Sequence, residues 1–107
     1  MTKVDYMKVI GVLSKTLQLE TLNLQYADKS AERLDVTMGG TAKQEKTFRL
    51  AMKDYTLELT FPKTHIEVRA FDKWISAFEY ELEQAFSRNV SVQINHDAEH
   101  YTLKMSF

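Results

Sequence analysis

The first eighteen residues repeat apolar side chains at intervals of three and four. Tyr6, Val9, Ile10, Leu13 and Leu17 recur at this spacing, and the polar residues between them fall on the other sides of a helix. The spacing predicts an amphipathic helix over residues 3–18 that buries one apolar stripe.

Past Leu17 apolar and polar residues alternate one by one, which is the period of a strand with one buried face. The alternation recurs in five segments, which predict strands around residues 22–26, 34–38, 48–52, 55–61 and 66–70. Pro62 ends the fourth because proline has no amide hydrogen to donate to a neighbouring strand. The five segments predict an antiparallel meander.

Helical spacing returns after the fifth predicted strand. Asp72 is a candidate cap for a second helix over residues 72–88, and Asn89 can adopt the left-handed backbone that ends it. The apolar stripe of this helix comprises Phe71, Trp74, Ile75, Phe78, Leu82, Ala85 and Phe86. Alternation resumes at residues 90–94 and 101–107, which predicts a final pair of strands.

Together these elements predict a single α+β domain over residues 1–107, with the order α-β-β-β-β-β-α-β-β. Every predicted strand has one apolar and one polar side. A mainly antiparallel sheet of about seven strands should therefore carry both helices on one face, in two layers. The opposite, hydrophilic face would be open to water or to a partner.

Composition narrows the functional classes. Fourteen basic and fifteen acidic residues give a net charge of −1, which provides no extended positive field for a nucleic-acid backbone. The chain has no cysteine, so disulfides and thiolate chemistry are excluded. No apolar run approaches the roughly 20 residues that span a bilayer, and we expect a cytoplasmic protein without a membrane partner.

Two histidines four residues apart, His96 and His100, raise the question of a metal site. In zinc helices of the H-E-x-x-H type, histidines at this spacing share one helical face. Here strand-like segments flank the pair, so the residues between them are better explained as the solvated tip of a hairpin. We predict no metal and no other cofactor; convergence of the two imidazoles with Asp97 or Glu99 as a third ligand is the alternative.

The polar side of the predicted sheet is the candidate binding surface. Its predicted positions hold hydroxyl, amide and charged side chains, and His65 also falls on this side, but none holds a phenylalanine, tyrosine or tryptophan ring on which a nucleic-acid base could stack. Nucleic acid is therefore disfavoured as a partner, and another protein or a second copy is favoured. The candidate interaction residues on this face are Arg49, Glu58, Arg69, Gln93 and Lys104, and those on the second helix are Glu79 and Glu83.

The leading functional hypothesis is a non-enzymatic intracellular protein-binding module of the accessory, inhibitor or immunity type. It would act through the polar sheet face or the acidic helix. The first alternative is a homo-oligomeric assembly component of a phage or mobile element, in which exposed sheet edges pair between copies. The second is a small-ligand or metal-dependent enzyme that uses His96 and His100.

Overall fold

The described chain contains two helices and six strands, which follow one another in the order α-β-β-β-β-α-β-β. The structure is a computed structural model that describes residues 3–27, 32–40, 43–53 and 56–107; Tyr55, predicted to open the fourth strand, lies outside these ranges. The elements are α1 (Lys3–Leu17), β1 (Glu20–Tyr26), β2 (Arg33–Gly40), β3 (Lys43–Lys53), β4 (Thr56–Pro62), a 3₁₀ turn (Lys63–His65), α2 (Val68–Phe86), β5 (Ser91–His96) and β6 (His100–Ser106).

All six strands form one antiparallel sheet with the spatial order β1-β2-β3-β4-β6-β5. The first four strands form the predicted meander. The chain then passes through α2 and returns so that β6 pairs with β4, with Leu59 opposite Leu103. This return leaves β1 and β5 as the two edges of the sheet.

The core lies between the sheet and the two helices, as the strand periodicity predicts. The inward side chains of the inner strands are almost completely buried, as in Leu34, Phe48 and Leu59. Both helices bury their predicted stripes against them, apart from Ala85, which is exposed, and Leu17, which is partly buried. The α+β two-layer architecture is confirmed, with six strands instead of about seven.

The predicted fifth strand over residues 66–70 is wrong. Ile66 is buried, but Val68 begins α2 and is 79% exposed, with Ala70 also exposed in the first turn. Arg69 therefore lies on a helix and not on the polar sheet face. Five residues are too few to distinguish the strand period of two from the helical period of 3.6. The first turn of α2 is exposed, so burial does not require its apolar residues to follow the helical spacing.

Both ends of α2 also differ from their predicted positions. The helix begins four residues before Asp72, and its N-cap is Glu67, whose side chain makes no capping hydrogen bond. It ends at Phe86, where Ser87 and not Asn89 takes the left-handed backbone, with φ 54°. The Ser87 amide donates to the Glu83 carbonyl and closes the last turn.

A bulge in β1 reverses the predicted orientation of Leu22. Thr21 pairs with Met38 but Asn23 pairs with Thr37, so Leu22 is the extra residue between them. A Cβ at Gly39 would lie 3.0 Å from Leu22 Cδ1, which places the leucine side chain over this glycine. Leu22 is accordingly 51% exposed and not part of the core.

Candidate interaction site on the outer face of the sheet

The outer face is the side of the sheet opposite the two helices. Strand register places these described residues on it: Asn23, Gln25, Arg33, Asp35, Thr37, Thr47, Arg49, Ala51, Lys53, Thr56, Glu58, Thr60, Pro62, Ser91, Gln93, Asn95, His100, Thr102, Lys104 and Ser106. None of these positions holds phenylalanine, tyrosine or tryptophan. Four of the predicted interaction residues, Arg49, Glu58, Gln93 and Lys104, therefore share one surface.

An ion pair joins two central strands of the outer face. Arg49 on β3 pairs directly with Asp35 on β2, and Arg49 Nε donates to Asp35 Oδ1 at 3.1 Å. The arginine side chain is 53% exposed and the aspartate 29% exposed. The pair is partly desolvated, and the other guanidinium nitrogens of Arg49 provide further hydrogen-bond donors on this half-exposed side chain.

A second charged row runs across the neighbouring strands. Glu58 on β4 lies opposite Lys104 on β6, which in turn lies opposite Gln93 on the edge strand β5. Lys104 Nζ is 3.9 Å from Glu58 Oε1, and the carboxylate side chain is only 19% exposed. The lysine is 43% exposed, so the accessible charge of this row is positive, beside a neutral amide.

Two pairs of threonines lie beside Arg49: Thr60 and Thr102 continue its row across β4 and β6, and Thr37 and Thr47 form the next row, on the side away from Glu58 and Lys104. The hydroxyl oxygens of Thr37 and Thr47 are 3.3 Å apart, and those of Thr60 and Thr102 are 3.4 Å apart. Each pair spans two adjacent strands at the same register position. Threonine favours strands because it is β-branched, and its hydroxyl can also donate to and accept from an incoming partner.

A shallow depression of about 190 Å³ lies on the outer face beside Arg49 and Thr60. Its lining comprises Asp35, Thr47, Arg49, Thr60, Phe61, Pro62 and His100. Sequence reasoning missed His100 as a member of this surface, although the alternation of Thr102 and Lys104 extends back to it along β6. The depression combines one carboxylate, one guanidinium, one imidazole and two hydroxyls over a partly apolar floor.

The two histidines of the hairpin do not converge on a metal. His96 pairs with Tyr101 across the hairpin, so it lies on the helix side of the sheet, whereas His100 lies on the outer face. His96 Nδ1 is 3.0 Å from Lys63 Nζ, a cation and not an acidic ligand. Within the described residues, no group of three or more histidine, aspartate or glutamate side chains is arranged to hold a metal ion.

The segment between these histidines is a hairpin tip, as predicted. Asp97, Ala98 and Glu99 are exposed, and the Asp97 carboxylate accepts hydrogen bonds from the amides of Glu99 and His100 at 2.8 and 2.7 Å. These backbone hydrogen bonds hold the pKa of Asp97 below its ordinary value. The aspartate therefore stabilises the turn.

His65 lies in the 3₁₀ turn and not on the polar sheet face where it was predicted. Its ring is half-buried, packs edge-on against Phe48 at 5.1 Å, and has Nε2 2.9 Å from the carbonyl oxygen of Thr47. Burial lowers the pKa of His65, with smaller contributions from the charges of Lys46 and His100 in the same direction. Because a carbonyl oxygen can only accept, Nε2 carries a hydrogen and donates it to Thr47.

The acidic residues of α2 face two directions. Glu81 Oε2 accepts from Lys15 Nζ at 2.9 Å and joins the two helices. Glu83 Oε2 instead accepts from the Val90 amide at 3.3 Å, beside the start of β5. Glu79 lies one turn before Glu83 on the same flank, and both are half-buried. They are thus not on the fully solvated side of the helix.

Comparison of the chain with known protein families, curated protein sequences and solved structures found no match. The described helices contain no segment long and apolar enough to cross a membrane. The surface chemistry of this chain is therefore the basis for a functional proposal.

Proposed function

We propose that the protein is a non-enzymatic binding module that recognises another protein through the outer face of its sheet. The observation that carries this proposal is the position of both helices on the opposite side, so that no helix of the described residues covers the outer face of the six strands. That surface holds Arg49, Glu58, Gln93 and Lys104 within adjacent rows. An accessory, inhibitor or immunity role needs only binding, and this surface offers hydrogen bonds and charges of both signs.

The chemistry of the outer face favours a folded partner with a polar, charge-matched surface. Protein interfaces of this kind gain register and association rate from complementary charges, while their affinity depends on a few well-packed groups. Arg49 is a strong candidate for such a group, because arginine is enriched at binding hot spots and here projects beside a depression. A partner side chain that enters the depression would meet Arg49, Asp35 and His100.

A pair of matched double variants tests the outer face directly. Arg49→Ser with Lys104→Ser removes two positive charges from it, and Arg69→Ser with Lys73→Ser removes two from the exposed surface of α2. Proteins retained by the tagged wild-type protein from extracts of its source cells are quantified by mass spectrometry for all three forms. We expect the outer-face variant to lose its specific partner by about tenfold or more, which corresponds to 1.4 kcal/mol.

The control variant should retain that partner within about twofold, because single surface charges away from an interface contribute little. Equal retention by both variants, or loss by the α2 variant alone, would show that the outer face is not the binding surface. Circular dichroism and thermal unfolding of each variant establish that a lost partner does not reflect a lost fold.

A further inference from the structure

The two edges of the sheet differ in their capacity to accept another strand. β5 pairs with β6 in an unbroken register from Ser91 opposite Ser106 to His96 opposite Tyr101. The register of β1 is instead interrupted by its bulge, which twists an edge away from a regular partner. Regular pairing with an added strand is therefore available at β5.

The free edge of β5 also lacks the features that block strand addition. Ser91–His96 contains no lysine, arginine, carboxylate or proline. The Asp97 amide donates to the His100 carbonyl across the hairpin at 3.1 Å. The backbone groups of Asp97 therefore point toward β6. Successive residues of a strand in an antiparallel pair alternate in this direction, so the backbone groups of His96, Ile94 and Val92 point to the open edge.

On the helix side of the sheet, the start of β5 lies beside the flank of α2 that carries Glu83, because Glu83 Oε2 accepts from the Val90 amide at 3.3 Å. We define the β5 groove by its floor, Val92 and Ile94, and its wall, Glu79 and Glu83. Val92 is half-buried and Ile94 is 40% exposed, so its floor is apolar and accessible. The wall is fixed beside β5 by the Glu83 hydrogen bond to the Val90 amide.

The charge of the wall changes along the groove. Glu83 makes the end near Val90 acidic, together with Glu79 one turn before it, whereas the cation Lys63 lies at the other end, beside His96. An added strand would place every second side chain on the helix side. Those side chains would meet an apolar floor at Ile94 and carboxylates beside Val92.

We propose that β5 accepts an extended segment of a partner protein as a seventh strand. The segment carries an apolar residue over Ile94 and, two residues away on the same side, a lysine or arginine that reaches Glu79 and Glu83. Backbone hydrogen bonds to the edge supply affinity, and the alternate side chains supply specificity. This proposal concerns the edge of the sheet and does not rest on recognition through the outer face.

Charge complementarity favours a different protein over a second copy. Pairing of two β5 strands would bring no lysine or arginine from Ser91–His96 to the acidic wall. It would also bring the Glu79 and Glu83 flanks of two α2 helices toward each other, and like charges repel. The edge strand β1 offers only Glu20 as a charged residue, which leaves the same mismatch.

The test uses a capped seven-residue peptide with the sequence Thr-Ile-Thr-Lys-Thr-Ile-Thr. In an extended strand its threonines lie on one side, and its two isoleucines and its lysine lie on the other. It is titrated into the isotope-labelled full chain while amide shifts and hydrogen exchange are followed by nuclear magnetic resonance. We expect shifts and slowed exchange at Val92, Ile94 and His96, with a Kd of about 1 mM or tighter. The same peptide N-methylated on alternate amides should lose binding at least tenfold when the methyl groups face β5.

Specificity is tested by replacing the peptide lysine with glutamate. We expect the glutamate peptide to bind about tenfold more weakly to the wild type, and Glu79→Lys to remove this difference because one acidic and one basic side chain then form the wall. Glu79→Lys leaves the Glu83 hydrogen bond in place. The outer-face variant Arg49→Ser with Lys104→Ser should bind the lysine peptide as the wild type does, which separates this proposal from the proposed function.

Three results would overturn the proposal. They are the absence of shifts at about 5 mM peptide, shifts confined to β1 or the outer face, and equal binding of the N-methylated peptide. Concentration-dependent dimerisation in sedimentation, with shifts at Val92 and Ile94 in the protein alone, would identify a second copy as the occupant instead.

Discussion

The indole nitrogen of Trp74 donates a hydrogen bond to Thr16 Oγ1 at 3.1 Å and thereby joins α2 to α1. Trp74 is only 6% exposed, so its N–H has little access to water. The Thr16 hydroxyl is held in place because it donates in turn to the Val12 carbonyl at 2.8 Å. One threonine thus satisfies the single polar atom of the largest side chain in the interhelical contact.

Replacement of Thr16 by valine should destabilise the protein by about 1–3 kcal/mol, because a buried donor would lose its acceptor. Valine has nearly the same shape, so the loss reflects the hydrogen bond and not a cavity. Urea unfolding followed by Trp74 fluorescence measures the change. Thr16→Ser, which keeps the hydroxyl, is the control and should be closer to the wild type; equal stability of the serine and valine variants would contradict the expectation.

Long apolar stripes made the helices and most strands predictable. The stripe of α2 extends over more than four turns, so the helical period is fixed by many residues even though its ends are not. The end near Val68 was misassigned because residues 66–70 are consistent with both periods. A helix boundary here depends on which turns contact the sheet, and spacing along the chain does not record that contact.

The candidate site was predictable at the level of the sheet face but not of the individual contacts. Alternation alone placed Arg49, Glu58 and Lys104 on one side of their strands. The pairing of Arg49 with Asp35 depends on the register between β2 and β3, which the turn between them determines. Leu22 was misplaced for a similar reason, since a bulge changes the face of a residue without changing the sequence pattern.

The hairpin tip between β5 and β6 should depend on Asp97. Its carboxylate accepts two backbone amides, and these bonds lower the pKa of Asp97 from 3.8. A carboxyl with a lowered folded-state pKa contributes stability above its unfolded pKa and loses it as the pH falls through its folded pKa. We therefore expect Asp97→Ala to have a lower free energy of unfolding than the wild type at neutral pH. The difference in free energy between the two proteins should become smaller below pH 3.8.

Unfolding curves of both proteins between neutral pH and about pH 2.5 test this expectation, together with a carbon-13 titration of the Asp97 carboxyl. Asp97→Asn keeps an acceptor oxygen without the charge and should lie between the two forms at neutral pH. A titration midpoint at or above 3.8, or a pH-independent difference, would contradict the assigned role of Asp97.

His65 should make the stability of the protein depend on pH near neutrality. Its pKa is lowered from 6.5, first by burial and then by the positive charge of Lys46, while the Thr47 carbonyl opposes both. The unfolded chain then binds a proton more readily than the folded chain, so the free energy of unfolding falls as the pH drops below 6.5. The decrease is complete below the folded-state pKa of His65.

Nuclear magnetic resonance titration of the His65 ring carbon Cε1 and unfolding curves across this window measure the effect. His65→Gln should flatten the pH dependence, because glutamine has no proton to bind in this range. Lys46→Met should raise the pKa of His65, because it removes a positive charge that disfavours the imidazolium. Two results would contradict this expectation: a His65 titration midpoint at or above 6.5, or the same dependence of unfolding free energy on pH in His65→Gln as in the wild type. Either would mean that the His65 ring beside Phe48 is too well solvated for burial to lower its pKa.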